Sequence, residues 1–288
     1  MTSTEPIRFA ILGAGMIAGF HQRAIAANAA LGAQLVAVAD VDARRFGEIE
    51  DAFSVPCLSQ DDLLARPDVD VVAICTPSGQ HAAQAIAAAR AGKNVLVEKP
   101  MALNLADADA MIDICAEAGV QLGVVFQSRF EAPFRQVHEA VQAGDLGDLT
   151  LGLVTMPYYR PQSYYDQAAW RGTWELDGGG VVMNQGIHWV DQLVWLMGDP
   201  VEVQARADTL HRHIAVEDTL AATLRFANGA LATITGTTAA APGFAPRIEV
   251  FGTAGGIQIE GKTIVRWDLA DPPQAALERR AAPDIPWA

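Results

Sequence analysis

Lys99 is the residue with the clearest chemical potential. It closes Val95-Leu96-Val97-Glu98-Lys99-Pro100, an apolar run that ends in an acid, a base and a proline. The run predicts a buried parallel strand whose polar end lies at the carboxyl edge of a sheet, where open α/β sheets bind ligands. A lysine delivered there can donate a hydrogen bond or a proton to a substrate oxygen. Pro100 cannot continue a strand ladder and could impose a cis bond that directs the lysine. On the tripeptide alone, a solvated strand end with an ordinary Glu–Lys pair explains the pattern equally well.

A second group of such residues runs from Asp177 through Gly178-Gly179-Gly180 to His188 and Asp191. The glycines suit a sharp loop with close backbone approach. A helix is predicted to follow and to end near Met197, with Gly198 and Pro200 beyond it. Spacings of four, three and four place Asn184, His188, Asp191 and Trp195 on one helix face. An amide one turn before and a carboxylate one turn after would hold His188 in one tautomer as an acid or base. A core histidine satisfied by its neighbours gives the same pattern.

The elements that must position these groups begin at the amino terminus. A short strand, Ile7 to Leu12, leads into Gly13-Ala14-Gly15-Met16-Ile17-Ala18 and then a helix to about Ala27. Gly13 permits the tight turn, Gly15 lets the backbone approach a pyrophosphate, and Ala18 allows close helix–strand packing. The next strand, Gln34 to Ala39, ends in Asp40, where a ribose-binding acid is expected. A carboxylate there repels a 2′-phosphate and favours NAD. Arg44 and Arg45 follow and could pair with that phosphate, so NADP stays open.

Strand and helix patterns alternate as far as Phe126, including strands at Val69 to Ile74 and Gln121 to Val125. That is the signature of a parallel sheet. A helix from about Phe134 to Gln142 leads to Gly144-Asp145-Leu146-Gly147, and beyond it the period changes. Thr219 to Phe226 and Leu231 to Gly236 flank Asn228-Gly229, a strong hairpin signal. Arg247 to Phe251 and Gly256 to Glu260 read as another strand pair. We expect a doubly wound α/β domain over 1–126 and an α+β domain with an open, mainly antiparallel sheet over 127–288. Few helices remain to cover that sheet, so its other face is expected to pack on a second subunit, as a homodimer or homotetramer.

All four tyrosines lie between Tyr158 and Tyr165, and Trp170 and Trp174 follow, interleaved with Arg160, Gln162, Asp166 and Arg171. Aromatic faces with hydrogen-bonding neighbours suit a sugar ring, and Arg160 or Arg171 could pair with a carboxylate or phosphate on it. An aromatic cluster packing a long loop fits as well. Gln127 and Arg129 follow the last parallel strand and fall near the same sheet edge as Lys99.

The glycine-rich turn, Thr76-Pro77-Ser78-Gly79-Gln80-His81, Glu98-Lys99-Pro100 and the block from Gly178 to Asp191 occur in one order at compatible spacings. In this combination the chain resembles the Gfo/Idh/MocA family of sugar and inositol dehydrogenases. The resemblance implies a Rossmann domain, an α+β domain, and hydride transfer between a nicotinamide and a hydroxyl-bearing carbon of a sugar, inositol or nucleotide sugar. It implies Lys99 and His188 as catalytic groups. It implies a cofactor site of Gly13, Gly15, Met16, Ile17, Asp40, Thr76, Pro77, His81, Glu98 and Gln127. For substrate it implies Arg129, Arg160, Tyr165, Trp170, Arg171, Asn184 and Asp191. Many relatives carry Asp where Asn184 stands, which suggests a subgroup nearer the nucleotide-sugar 3-dehydrogenases. Three alternatives share the fold: an NAD-dependent glycosidase with transient oxidation, a non-catalytic NAD-binding sensor, and an oxidoreductase that exchanges hydride between sugars without releasing NAD.

Composition sets limits. The 288 residues hold no apolar run long enough to span a membrane, and Met1 to Pro6 lack a basic-then-apolar leader. The formal charge of −14 argues against nucleic acid and anionic lipid as partners. Cys57, Cys75 and Cys115 show no metal or redox spacing and read as buried free thiols in a reducing cytoplasm. His211 and His213 lack an acidic or cysteine cluster, so no metal is expected. Family members run on past strands ending near Trp267, whereas a short alanine- and proline-rich tail follows here. A compact or shortened second domain is therefore expected.

Overall fold

The computed structural model describes residues 5–270. The start of the chain and the tail ending at Trp287-Ala288 lie outside the described residues. The chain divides into two compact units, the first reaching Val125 and the second beginning at Phe126.

The first unit runs β1 (Ile7–Leu12), α1 (Ala18–Ala27), β2 (Ala33–Ala39), α2 (Phe46–Phe53), β3 (Cys57–Leu58), α3 (Gln60–Leu64), β4 (Val71–Ile74), α4 (His81–Arg90), β5 (Asn94–Val97), α5 (Leu105–Ala118) and β6 (Leu122–Val124). Its six strands are parallel in the order β3-β2-β1-β4-β5-β6. Successive strand residues feed opposite faces. Ile11, Val38 and Ala73 pack with Ala18 and Ile25 of α1 and Ile49 of α2. Leu12, Ala39, Ile74 and Val97 pack with Ala85 of α4 and Met111 and Cys115 of α5. Both faces are covered, which explains why these strands read as continuous apolar runs. Strand order reverses between β1 and β4, the position where such sheets open a crevice at their carboxyl ends.

The second unit contains α6 (Ala132–Gln142), β7 (Leu149–Pro157), α7 (Gln162–Asp166), α8 (Ile187–Met197), β8 (Pro200–Asp208), β9 (Thr219–Phe226), β10 (Leu231–Thr237), β11 (Arg247–Gly252), β12 (Gly255–Glu260) and β13 (Thr263–Leu269). The seven strands are ordered β13-β12-β11-β7-β10-β9-β8, antiparallel except at the central β7–β10 pair. Asn228-Gly229 makes the expected β9–β10 turn, with Gly229 at φ 89° and the Asn228 side chain accepting from the Ala230 N–H at 3.0 Å.

One face of this sheet packs on α6 and α8, burying Phe134, Leu193, Leu196 and Met197 against Val154, Ile234, Ile248 and Val250. Each such side chain contributes about 1.5–3 kcal/mol. Gly152 allows the approach of α8, since a Cβ there would lie 2.8 Å from Leu193 Cδ1. The opposite face is solvent-exposed. Two strands, β7 and β8, stand outside the sequence-based reading, and β7 proves to be the centre of the sheet. Among the described residues no helix is long and apolar enough to cross a membrane.

Candidate active site

In the first unit the chemical groups gather at the carboxyl ends of β1, β2, β4 and β5. Gly13 has φ 99° and packs so closely that a Cβ would meet Thr76 Cγ2 at 2.7 Å. At Gly15 a Cβ would find nothing within 4 Å, so that glycine is open towards solvent. Met16 and Ile17 follow, and Met16 is 81% exposed. No side chain caps the start of α1, where the Ala18 and Phe20 N–H groups donate to the Gly15 and Ile17 carbonyls at 3.2 and 2.9 Å and the helix end still presents its positive pole to an anion. Asp40 ends β2, as expected, and accepts from Arg45 Nη1 at 3.2 Å and the Asp42 N–H at 2.9 Å. Arg44 forms a two-pronged pair with Asp42 at 2.8 Å. Both arginines that could have favoured a 2′-phosphate therefore face carboxylates.

Lys99 lies directly beyond β5, half-buried, and the Lys99–Pro100 peptide is cis. Glu98 is buried. One of its oxygens meets His21 Nε2 at 2.8 Å and the other accepts from the Lys99 N–H at 3.3 Å. Thr76 and Pro77 follow β4, with the Thr76 hydroxyl donating to Gln84 Oε1 at 2.5 Å. His81 requires a correction. It is 1% exposed, and its ring nitrogens face the carbonyls of Pro100 at 2.7 Å and Thr76 at 2.9 Å. Burial holds its pKa below the ordinary histidine value, against the pull of those carbonyls. His81 braces the β4 and β5 ends against each other and presents nothing to a cofactor.

In the second unit His188 sits in the first turn of α8. The Phe126 ring meets it edge-on at 5.9 Å, and the Gln127 amide lies 3.5 Å from its Nε2. The expected single helix is interrupted. Val181–Gln185 form a π-turn and α8 begins only after Gly186, so Asn184 precedes the helix and its amide donates to Asp177 Oδ1 at 2.5 Å. The cause is Glu217. Its carboxylate accepts from the Gly180 N–H at 2.9 Å and the Val182 N–H at 3.2 Å, and its carbonyl accepts from the Val181 N–H at 3.1 Å. A Cβ on Gly180 would lie 1.6 Å from that carbonyl oxygen. Asp191 and Arg129, both expected at substrate, form a two-pronged pair at 2.9 and 2.5 Å. This pair fixes α8 to the segment after β6, and His138 of α6 stacks on Trp195 at 3.8 Å.

Residues 7–126 match the family described as "Oxidoreductase family, NAD-binding Rossmann fold", and residues 134–258 match "GFO/IDH/MocA C-terminal domain". An inositol 2-dehydrogenase of Rhizobium meliloti is 31% identical over 92% of this chain and 78% of its own length. The chain belongs to the GFO/IDH/MocA family. A solved relative, the WlbA dehydrogenase of Bordetella pertussis in complex with NADH and UDP-GlcNAcA, shares 39% identity, with a TM-score of 0.89 over 93% of this chain and 83% of WlbA. The aldose-aldose oxidoreductase of Caulobacter crescentus shares 30% identity, with a TM-score of 0.80 over 93% of this chain and 82% of its own.

The first unit is thus the NAD-binding Rossmann domain of a GFO/IDH/MocA oxidoreductase, and its residues fit the cofactor. The open space at Gly15, the uncapped start of α1 and the acid closing β2 suit a pyrophosphate and a ribose diol. The aromatic stretch departs from expectation. Tyr165 is buried, with its hydroxyl donating to Thr238 Oγ1 at 3.1 Å, so it ties the loop to the sheet instead of offering a face to sugar. The Tyr164 ring is flanked by Arg171 at 4.2 Å and Arg160 at 5.5 Å, and Trp170 lies 5.5 Å from Arg171. Arg160 and Arg171 also donate to backbone carbonyls, of Tyr159 at 3.1 Å and Tyr164 at 2.8 Å. Sequence reasoning missed Glu217 and His21. Each acts on a segment far along the chain, so no local spacing announces it. Among the described residues no three His, Cys, Asp or Glu side chains gather to hold a metal ion.

Proposed function

We propose that this GFO/IDH/MocA member interconverts a secondary alcohol and a ketone on a sugar or nucleotide-linked sugar. NAD supplies the hydride acceptor or donor. Lys99 donates to the reacting oxygen and stabilises the charge that develops on it. His188 takes or returns the hydroxyl proton. Asn184 cannot act as a base, so it binds or orients. The observation that carries this reading is the delivery of Lys99 by the carboxyl end of β5, beside a Glu98 whose oxygens are engaged by His21 and the backbone. The inositol dehydrogenase and the UDP-GlcNAcA complex among the relatives support a polyol or sugar substrate, and Asn184 favours the nucleotide-sugar branch. Asp40 favours NAD, and tighter binding of NADPH than of NADH would overturn that preference.

The test is absorbance at the NADH band with NAD, then NADP, against free sugars, inositols, uronic acids and nucleotide sugars, with Lys99→Ala alongside. Reduction seen with one substrate class and lost in the variant supports the reading. Bound cofactor with no reduction anywhere rejects it in favour of a sensor or a closed redox cycle.

The assembly we propose is a homodimer or homotetramer through the open face of the second sheet. Leu231, Leu151 and Phe251 lie side by side in register there, and Leu231 is half exposed. A monomer in light scattering at micromolar concentration would overturn this. A cytoplasmic location is supported by three buried, unpaired thiols.

A further inference from the structure

His21 has no part in the chemistry proposed above, yet its side chain reaches the residue next to Lys99. It stands in the first turn of α1, where its N–H donates to the Ile17 carbonyl at 3.3 Å. Its ring Nε2 donates to Glu98 Oε1 at 2.8 Å, and both side chains are only 10% exposed. β4 lies between β1 and β5, so this contact runs from the helix that follows β1, past the end of β4, to the end of β5. It bridges the reversal of strand order, where the crevice of such a sheet opens.

Glu98 is the joint between His21 and the lysine. β5 is last paired at Val97, with Val124 of β6. Lys99 lies beyond that ladder, and its N–H donates to Glu98 Oε2 at 3.3 Å. The Glu98 N–H donates to the Ile74 carbonyl at 3.0 Å. The backbone thus fixes where Glu98 sits, and His21 fixes where its carboxylate points.

Two other titratable groups feel the Glu98 charge, and neither replaces His21. Cys75 ends β4 and is buried, and burial together with Glu98 pushes its thiol up. A protonated thiol is a weak donor. His81 of α4 has both ring nitrogens committed to the Pro100 and Thr76 carbonyls. Burial holds its pKa down, with Lys99 adding to that and Glu98 opposing it. A buried carboxylate that loses a donor turns to the next one within reach, and the Lys99 ammonium is one residue away.

We infer that His21 is a positioning residue for Lys99, holding the Glu98 carboxylate to α1 and so directing the lysine out of the sheet. This rests on the proposed role of Lys99 as donor to the reacting oxygen.

The chain has three lysines, Lys93, Lys99 and Lys262, so each can be followed by itself. The test is reductive methylation of the full-length protein with carbon-13 formaldehyde, then a pH titration of the dimethyl-lysine NMR signals. Loss of one signal in Lys99→Ala assigns Lys99. In His21→Leu the Lys99 midpoint is expected to rise by about half a pH unit or more, because a carboxylate released towards an ammonium favours its charged form. Lys262, paired with Glu131 in the second unit, must keep its midpoint. His21→Gln, whose amide donates from the place of Nε2, must return the Lys99 midpoint to that of the parent. Should His21→Leu not fold, His21→Asn takes its place, since its shorter amide falls short of Glu98 and must raise the midpoint in the same sense. On a sugar that is turned over, His21→Leu is expected to lower kcat about ten-fold, with KM and NADH affinity within about two-fold of the parent. An unmoved Lys99 midpoint, or no recovery in His21→Gln, overturns the positioning role. Turnover lost in Lys99→Ala but kept in His21→Leu also overturns it, and leaves the oxidoreductase standing. A Lys99 midpoint that depends on His21 in a protein that turns over no sugar removes the sugar oxidoreduction but not the positioning role.

Discussion

The two sheets of this chain bury their residues in opposite ways. The parallel sheet is covered on both faces, with Ile11, Val38 and Ala73 against α1 and α2, and Leu12, Ile74 and Val97 against α4 and α5. The mixed sheet has one core, under α6 and α8, and leaves the row Leu231, Leu151 and Phe251 on its other side. The first arrangement is complete within its own fold and places chemistry only at strand ends. The second surrenders a face and builds its chemical groups from loops pinned by the buried acids Asp177 and Asp218 and the half-buried Glu217.

The comparison breaks most directly at the proposed catalytic groups, one from each unit. Lys99→Ala and His188→Ala are each expected to lower turnover about 100-fold or more with folding intact, read by steady-state NADH absorbance and thermal denaturation. Near-normal turnover in one variant would confine the chemistry to the other unit. Glycines sharpen the contrast next. Gly180→Ala puts a Cβ against the Glu217 carbonyl and is expected to cost about 3 kcal/mol or more in denaturant unfolding. Gly15→Ala meets no atom of the protein, so its stability should stay within about 0.5 kcal/mol of the parent. Its NADH affinity should nonetheless fall about ten-fold or more, because the added methyl occupies the backbone's approach to the pyrophosphate. Equal stability losses at both glycines would dissolve the distinction between a fold-closing and a ligand-facing glycine.

The smallest effect belongs to Arg8–Asp70, a half-buried pair at the sheet margin joining β1 to the start of β4. Arg8 hydrogen bonds hold the Asp70 carboxyl down to about 2. A lowered folded-state pKa gives stability that is present above the unfolded value of 3.8 and fades as pH falls through about 2. Asp70→Asn should therefore cost less than about 1 kcal/mol at neutral pH, and the difference from the parent should shrink as pH is lowered from 4 towards 2. A cost independent of pH would assign the effect to packing.

Most of the first unit was legible because its signals are local. Gly13, Gly15 and Ala18 lie within six residues, Asp40 closes the very next strand, and Lys99 ends an apolar run. Each describes a strand and the turn that immediately follows it. His81 misled because a polar residue at a strand end looks alike whether it faces a ligand or braces two carbonyls. In the second unit, the Asn228-Gly229 hairpin was legible for the same local reason. The central strand β7 was not, because its parallel partner β10 lies some 80 residues away.

The sequence by itself determined the Rossmann unit, the placement of Lys99 at a strand end and the hairpin of the second sheet. In each, bonded neighbours along the chain settle the conformation. Only the tertiary structure decided that Asn184 stands off the His188 helix, that Asp191 belongs to Arg129, and that Arg171 and Arg212 line one cavity. Those outcomes depend on contacts between segments distant in the chain: Glu217 with Gly180 and Val182, Arg129 with Asp191, and the Gly172 carbonyl with the Ala215 N–H. Hydrogen bonds closed across such distances leave no periodicity to read.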